Sequence, residues 1–312
     1  MGYGSTYVLA PIAAYMKEKG FKVVEINPYY DKNYIEKIEE VKGKEIIFIT
    51  SYHLHMDRYN YTQSGGNKNN ESIAPLEIME YLNPIKSVFY PHDLDEFMLE
   101  EELKWCNLFD VILVPYINNC YYKLKYLCPR VECVGWIKKN RTYELKTLGE
   151  ECSPIYFPSN IFPQLSLLGV EGLAGLWDKS IDKRIPIKLH ENKDLEMLSL
   201  KLRQIGFSVM DSQKTVFDMI EYFDLIIGNG VSTVIYEAAL SGGRAISILD
   251  DIESEKKYRN KLKNFPNVKL LRYEEIKDYL KDLNKDNDSI TVREDQLPCF
   301  DYERAMNLIK IG

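Results

Sequence analysis

Short runs of β-branched and aromatic residues recur along this chain, separated by stretches with helical spacing, and that alternation restricts the fold more than any other feature. The first half carries "FKVVEIN", "EIIFITS", "SVFYP", "DVILVPY" and "VECVGWI"; the second carries "PIYFPS", "IPIKLH", "FSVMDS", "DLIIGNG", "RAISIL" and "NVKLLRY". Helical patterns over 11–19, 33–41, 73–82 and 94–106 fall between the early runs. Strands that alternate with helices imply parallel sheets joined by right-handed crossovers. The chain has 312 residues, beyond the ~250 to 300 at which single cores stop growing, so two domains are expected. The polar joint "KKNRTYELKTLGEECS" separates the two series. The expected architecture is two Rossmann-like parallel-sheet domains, 1–145 and 146–300, facing across a cleft at the carboxyl ends of their strands. The terminal helix "DYERAMNLIKI", within 301–312, is expected to pack back across the joint.

Charge and composition narrow the partners. The formal net charge of −7 gives no basic footprint for nucleic acid. No apolar run reaches the ~18 residues that a membrane-spanning helix needs. The start "MGYGSTYVLAPIAAYMKEKG" lacks the basic residues of a signal peptide, so a cytoplasmic location is expected. Six cysteines without a CxxC pair read as ordinary thiols of a reducing compartment, neither zinc ligands nor a redox motif.

The stretch "DLIIGNGVSTVIYEAALSGGRAISI" reads as strand, glycine-rich turn, helix, glycine and strand. Gly228, Asn229 and Gly230 tolerate a tight turn, and Ser232 and Thr233 are placed to cap the helix. Amides at a helix start favour an anionic guest such as phosphate. Glu237, one turn further on, suits hydrogen bonds from a ribose diol. The same residues would also serve a plain strand-turn-helix in which the glycines fix packing and Glu237 is solvated. Upstream, Lys188 and His190 alternate along "IPIKLH", which puts both on one side of the segment.

In these residues the chain resembles GT-B fold glycosyltransferases, whose nucleotide motif is a strand, a small-residue turn and a helix carrying Glu-Ala, then a glycine. The resemblance covers Pro154 to Leu249. It implies Glu237 on the ribose, Gly230, Ser232 and Thr233 on the phosphate side, and Gly242 after the helix; Arg244 stands where the family often has proline. "KLH" is similar to the Lys-x-His segment of bacterial surface-polymer transferases that use CDP-glycerol or CMP-sugars, which implies Lys188 and His190 beside a phosphate leaving group. The implied donor is of CDP, CMP or UDP type, a substrate and not a tightly bound cofactor. The implied acceptor is a glycan, a lipid-linked saccharide or a protein, compatible with contact at a membrane surface.

The first domain shares only the α/β rhythm. "GYGSTYVLAP" reads as a glycine turn and helix whose preceding strand is missing, so the domain has lost that strand or begins upstream. Gly4 and Ser5 would then face the cleft near the donor phosphates or the acceptor. His92 and Asp93 follow the run "SVFYP", where an imidazole oriented by a carboxylate would take the acceptor's proton; His53 and His55 are alternatives. The polar stretch 52–72 is long for a connector and reads as a surface loop or a lid. Asp93 and Asp95 make a formal DxD pair, but no metal site is expected. A nucleotide-sugar epimerase and a catalytically silent binding protein of the same fold are the competing functions.

Overall fold

The computed structural model describes residues 3–26, 31–51, 75–94, 106–142, 153–159, 161–190, 195–210, 215–230, 232–249, 252–283 and 296–310. The chain divides into two compact units, one of Met1–Arg141 with Leu297–Gly312 and one of Thr142–Gln296. Among the described residues each unit contains one four-stranded, wholly parallel sheet. The α/β reading therefore holds for both halves of the sequence.

The first unit opens with α1 (Tyr3–Glu18) and α2 (Tyr34–Val41), then β1 (Ile47–Thr50), α3 (Pro75–Leu82), β2 (Lys86–Phe89), β3 (Val111–Val114), α4 (Asn119–Leu127) and β4 (Val131–Cys133). Its strands lie in sequence order, β1-β2-β3-β4. Val88, Phe89 and Val111–Val114 are buried, as expected for parallel strands covered on both faces. The expected strand "FKVVEIN" does not form: residues 21–26 carry no regular structure. Gly4 and Ser5 fall within α1 and not in a turn before it.

Residues 297–301 return to this unit and pair beside β4. Trp136 N donates to Pro298 O at 2.9 Å, and Trp136 bridges Cys299 in parallel register. Gly135 makes this approach feasible. It has φ +85°, and a Cβ there would lie 2.0 Å from Cys299 O, which no other residue type can satisfy. The last helix, α11 (Tyr302–Ile309), is capped by Asp301, whose carboxylate accepts from Arg304 N at 2.9 Å. Tyr302 sets its ring 4.9 Å from that of Tyr15 in α1.

The second unit runs β5 (Pro154–Phe157), α5 (Ile161–Ser180), α6 (Glu196–Gln204), α7 (Val216–Met219), β6 (Leu225–Asn229), α8 (Thr233–Leu240), β7 (Arg244–Leu249), α9 (Ile252–Leu262), β8 (Val268–Arg272) and α10 (Tyr273–Leu283). The segments expected as strands at "IPIKLH" and "FSVMDS" are reduced to single bridges, Tyr156 to Ile187 and Ile187 to Val209. With those bridges the spatial order is Val209, Ile187, β5, β6, β7, β8. Numbered along the unit this is 3-2-1-4-5-6, the doubly wound Rossmann order. Its core, including Trp177, Leu198, Leu202, Ile227 and Ile246, is fully buried. No described helix is long and apolar enough to cross a membrane.

Candidate functional site

In the 3-2-1-4-5-6 order the strand sequence reverses between β5 and β6, and the carboxyl ends of those two strands bound the crevice where ligands of such sheets bind. The turn after β6 lies at this position. It contains Gly230, Ser232 and the start of α8.

The three turn residues have distinct duties, and only Gly230, at φ +56°, uses the left-handed region. Its amide donates to Ile248 O at 2.8 Å and its carbonyl accepts from Ser247 Oγ at 2.5 Å. A Cβ on Gly230 would lie 2.9 Å from Tyr258 Oη. Gly230 thus locks the turn onto β7 and α9, and its own amide is already committed. Gly228 serves close packing instead, since a Cβ there would lie 3.1 Å from Ile235 Cδ1 and 3.3 Å from Ser232 Oγ. Asn229 stays within the strand and works through its side chain. Its Oδ1 accepts from Tyr156 Oη at 2.7 Å and from Ser159 N at 3.3 Å, while Nδ2 donates to Tyr273 Oη at 2.5 Å. Ser159 Oγ donates to Asn229 O at 2.8 Å. One buried amide therefore ties together the carboxyl ends of β5, β6 and β8.

Ser232 occupies the N-cap position of α8 in extended conformation, yet its side chain does not cap the helix as expected. Among the described residues its Oγ is buried without a hydrogen-bond partner, a costly arrangement for a hydroxyl. The first bond of the helix turn runs from Ile235 N to Ser232 O at 3.0 Å, so the amides of Thr233 and Val234 precede the helical ladder. Glu237 is only 3% exposed, which removes the reading in which it is simply solvated. The helix stops in a Schellman motif: Gly242 has φ +85°, Gly243 N donates to Ala238 O at 2.9 Å and Gly242 N to Ala239 O at 3.2 Å. Gly242 therefore has a structural reason to be glycine at its spacing from Glu237.

Lys188 and His190 lie beside the same sheet edge. Lys188 N donates to Tyr156 O at 2.9 Å, and Ile187 and Leu189 are buried while Lys188 is half-buried and His190 exposed. The alternation read from "IPIKLH" is thus realised. Lys188 Nζ stands 5.7 Å from the centre of the Phe157 ring. Only β5 separates this segment from β6, a lateral offset of about 10 Å.

Arg244, which departs from the family pattern, lies at the amino end of β7. Leu249 lies five residue steps along the strand, so Arg244 is about 17 Å from the sheet edge that carries the turn. It is buried beside Asp224, with Nη2 3.6 Å from Oδ1 and Nε donating to Asp224 O at 3.3 Å. Its role is an internal ion pair away from the turn.

In the first unit, His92 and Asp93 follow β2. His92 Nε2 is 2.9 Å from Asp93 Oδ2, and Nδ1 is 3.2 Å from Ser51 O. A neutral imidazole donates to only one of these acceptors; a doubly protonated ring donates to both. Ser51, which sequence reasoning missed, is fully buried and supplies its carbonyl from the end of β1. His53, His55 and Asp95 lie outside the described residues, as does all of 52–72. Among the described residues no cluster of three or more His, Cys, Asp or Glu side chains could hold a metal.

No family model and no curated protein matches this chain. Among solved structures it is similar to the glycosyltransferase SnogD from Streptomyces nogalater, at 12% identity over 99% of this chain and 96% of that one, with a TM-score of 0.46. It is similar also to the spinosyn rhamnosyltransferase SpnG in complex with spinosyn aglycone, at 11% identity over 99% and 98%, TM-score 0.48. A third is MurG of Acinetobacter baumannii, at 10% identity over 99% and 96%, TM-score 0.43. The class that the strand order defines is a protein of two parallel α/β units, the second doubly wound.

Proposed function

We propose that the chain is a GT-B-like transferase that moves a glycosyl or polyol-phosphate group from a nucleotide-activated donor to an acceptor hydroxyl, in the cytoplasm, during bacterial surface-polymer or glycoconjugate synthesis. The observation that carries this reading is the turn after β6. It sits at the reversal of strand order, and it offers a helix start, a buried hydroxyl on Ser232 without a partner and a buried carboxylate on Glu237. A nucleotide phosphate at the helix start would give the Ser232 hydroxyl the acceptor it lacks, and the ribose diol would donate to Glu237. In the reaction the acceptor oxygen bonds to the anomeric carbon, or to phosphorus for a polyol phosphate. The bond to the nucleotide leaving group breaks, and the acceptor proton passes to His92. Lys188 and His190 would balance the charge of the departing phosphate. Gly4 and Ser5 belong to the acceptor-side unit in this reading. The donor is a CDP, CMP or UDP derivative, and no metal is assigned a step.

Calorimetric titration of CDP, CMP, UDP, GDP and ADP tests the reading, repeated with Glu237→Gln after its fold is verified by circular dichroism. Saturable binding of one nucleotide, weakened about tenfold or more by the substitution, is expected, since ~1.4 kcal/mol is one charge-assisted hydrogen bond. Binding of none by folded protein would sink it. The engagement of both His92 nitrogens favours a second reading, a protein that binds the nucleotide without turnover. Saturable binding with no release of nucleotide from a labelled donor, over a panel of glycan acceptors, would select it.

A further inference from the structure

The outer face of α4 carries an aromatic and basic surface that the transfer reaction does not use. The helix joins β3 to β4, two adjacent parallel strands, and packs on their sheet. Cys120, Tyr121 and Leu124 form its buried side and share a core with Ile112, Val114 and Val131. The helical repeat leaves Tyr122, Lys123, Tyr126 and Leu127 on the opposite side. A surface helix normally fills such positions with polar groups, yet Tyr122 is 60% exposed, Tyr126 is 91% exposed, and Leu127 is exposed beside them.

The apolar surface continues past both ends of the helix. Ile117, 55% exposed, precedes Asn118, whose Oδ1 caps α4 by accepting from Tyr121 N at 2.9 Å. Ile117 and Tyr122 thus hold the two positions that a hydrophobic staple brings together. At the far end Cys128 Sγ donates to Phe109 O at 3.1 Å, and the neighbouring turn Cys106–Leu108 packs against α4 and adds the exposed Leu108. Tyr122 and Tyr126 are i, i+4 neighbours. Isolated exposed apolar residues are ordinary, whereas a contiguous set marks an interaction surface.

Charge identifies the partner. Between Asp110 and Glu132 the chain has three cations, Lys123, Lys125 and Arg130, and no acidic residue, in a protein of formal net charge −7. All three are exposed. The two bordering carboxylates are engaged: Asp110 Oδ2 accepts from Ser87 N at 2.7 Å and from Ser87 Oγ at 2.9 Å, and Glu132 Oε2 accepts from Arg304 Nη2 at 2.8 Å. Lys125 Nζ stands 4.8 Å from the centre of the Tyr121 ring, so its stem follows the flank of the helix while the ammonium stays in water. Tyrosines flanked by lysines suit the headgroup layer of a bilayer, where the ring enters the acyl boundary and the phenol oxygen remains hydrated. Three cations make a short track for nucleic acid phosphates, whereas a fluid anionic surface moulds to a convex helix.

We propose that the outer face of α4, with Ile117 and Arg130, docks this protein on a bilayer containing anionic phospholipid. The tyrosines enter the headgroup region, and Lys123, Lys125 and Arg130 pair with lipid phosphates. The contact is peripheral and reversible, and it stands independently of the nucleotide reading. Sedimentation with phosphatidylcholine vesicles, with and without an equal share of phosphatidylglycerol, tests it. The protein as a whole is acidic, so binding to anionic vesicles requires a local surface of opposite charge. The wild type is expected to bind the mixed vesicles and not the pure ones, to be released by salt, and to show slower amide exchange at 117–130 when bound. Tyr122→Ser with Tyr126→Ser, and separately Lys123→Glu with Lys125→Glu, are each expected to weaken binding about tenfold or more, with circular dichroism unchanged. Lys179→Glu with Lys263→Glu makes the same change in net charge at exposed positions of the second unit and is expected to bind as the wild type does. No binding of mixed vesicles by the wild type would overturn the proposal. So would equal binding of the pure ones, or an equal loss in the Lys179 and Lys263 variant. A lipid-free dimer that Tyr122→Ser with Tyr126→Ser dissolves would overturn it too, since a second copy would then cover the face.

Discussion

At the scale of single residues, burial sorts the polar groups of this protein into those that hold the fold and those available to a guest. Arg244 and Asp224 belong to the first kind, with side chains 5% and 2% exposed. Truncating one member of a buried pair strands the other charge, which typically costs about 3 to 5 kcal/mol, while an apolar replacement of similar volume restores the packing. Arg244→Ala is therefore expected to lose about 3 kcal/mol or more in urea denaturation. The double variant Arg244→Met with Asp224→Asn is expected to recover most of that loss. Nucleotide binding by either folded variant should match the wild type, since the pair lies at the opposite end of β7 from the turn. Ser232 represents the second kind, a buried hydroxyl at a helix start that satisfies nothing within the described protein.

At the scale of elements, Asn229 is the fastening of the second sheet's carboxyl edge. Asn229→Ala would leave Tyr156, Ser159 and Tyr273 short of bonds in a buried setting, at about 1 to 3 kcal/mol per stranded group. A loss of at least about 2 kcal/mol in equilibrium unfolding is expected. Ser232→Ala, which strands nothing, should be neutral or slightly stabilising.

How far the elements could be read from sequence follows the same physics. Runs with partners on both sides, such as "DVILVPY" and "RAISIL", became strands because hydrophobic pattern and pairing agree there. "FKVVEIN" has the composition of a strand, but among the described residues none of 22–26 takes part in a backbone–backbone hydrogen bond, and composition alone does not make a ladder. In the turn, residue types pointed to the location but not to the division of labour. Positive φ at Gly230, close packing at Gly228 and the three-way amide at Asn229 depend on Tyr258, Ile235 and Tyr273, which are distant or unremarkable in sequence. Ser51 was illegible for a related reason, since it acts on His92 through its backbone carbonyl and any residue type supplies one.

At the scale of the whole molecule, thiols and phenols whose pKa burial raises contribute stability that is lost at alkaline pH. Burial raises the pKa of Cys106, Cys128 and Cys133 in the first unit, and of Tyr90 and Tyr302, in each case as the largest cause. In the unfolded chain such groups ionise near ~8.5 for thiols and ~10 for phenols. Below ~8.5 both states hold these protons and the stabilisation is complete. As pH rises the unfolded state releases protons first, so stability falls toward the folded pKa values. Denaturation midpoints should decline steadily between about pH 8.5 and 11; a flat profile there would show that these groups are exposed in the native protein.

The central claim is that a nucleotide docks on the turn between β6 and α8. The most direct measurement is amide hydrogen exchange with and without saturating amounts of CDP, CMP and UDP, resolved by peptide. Slower exchange confined to 228–240, 157–159 and 187–190 is the predicted result for at least one of the three. Binding accompanied by protection elsewhere in the chain, with 228–240 unchanged, would contradict the account.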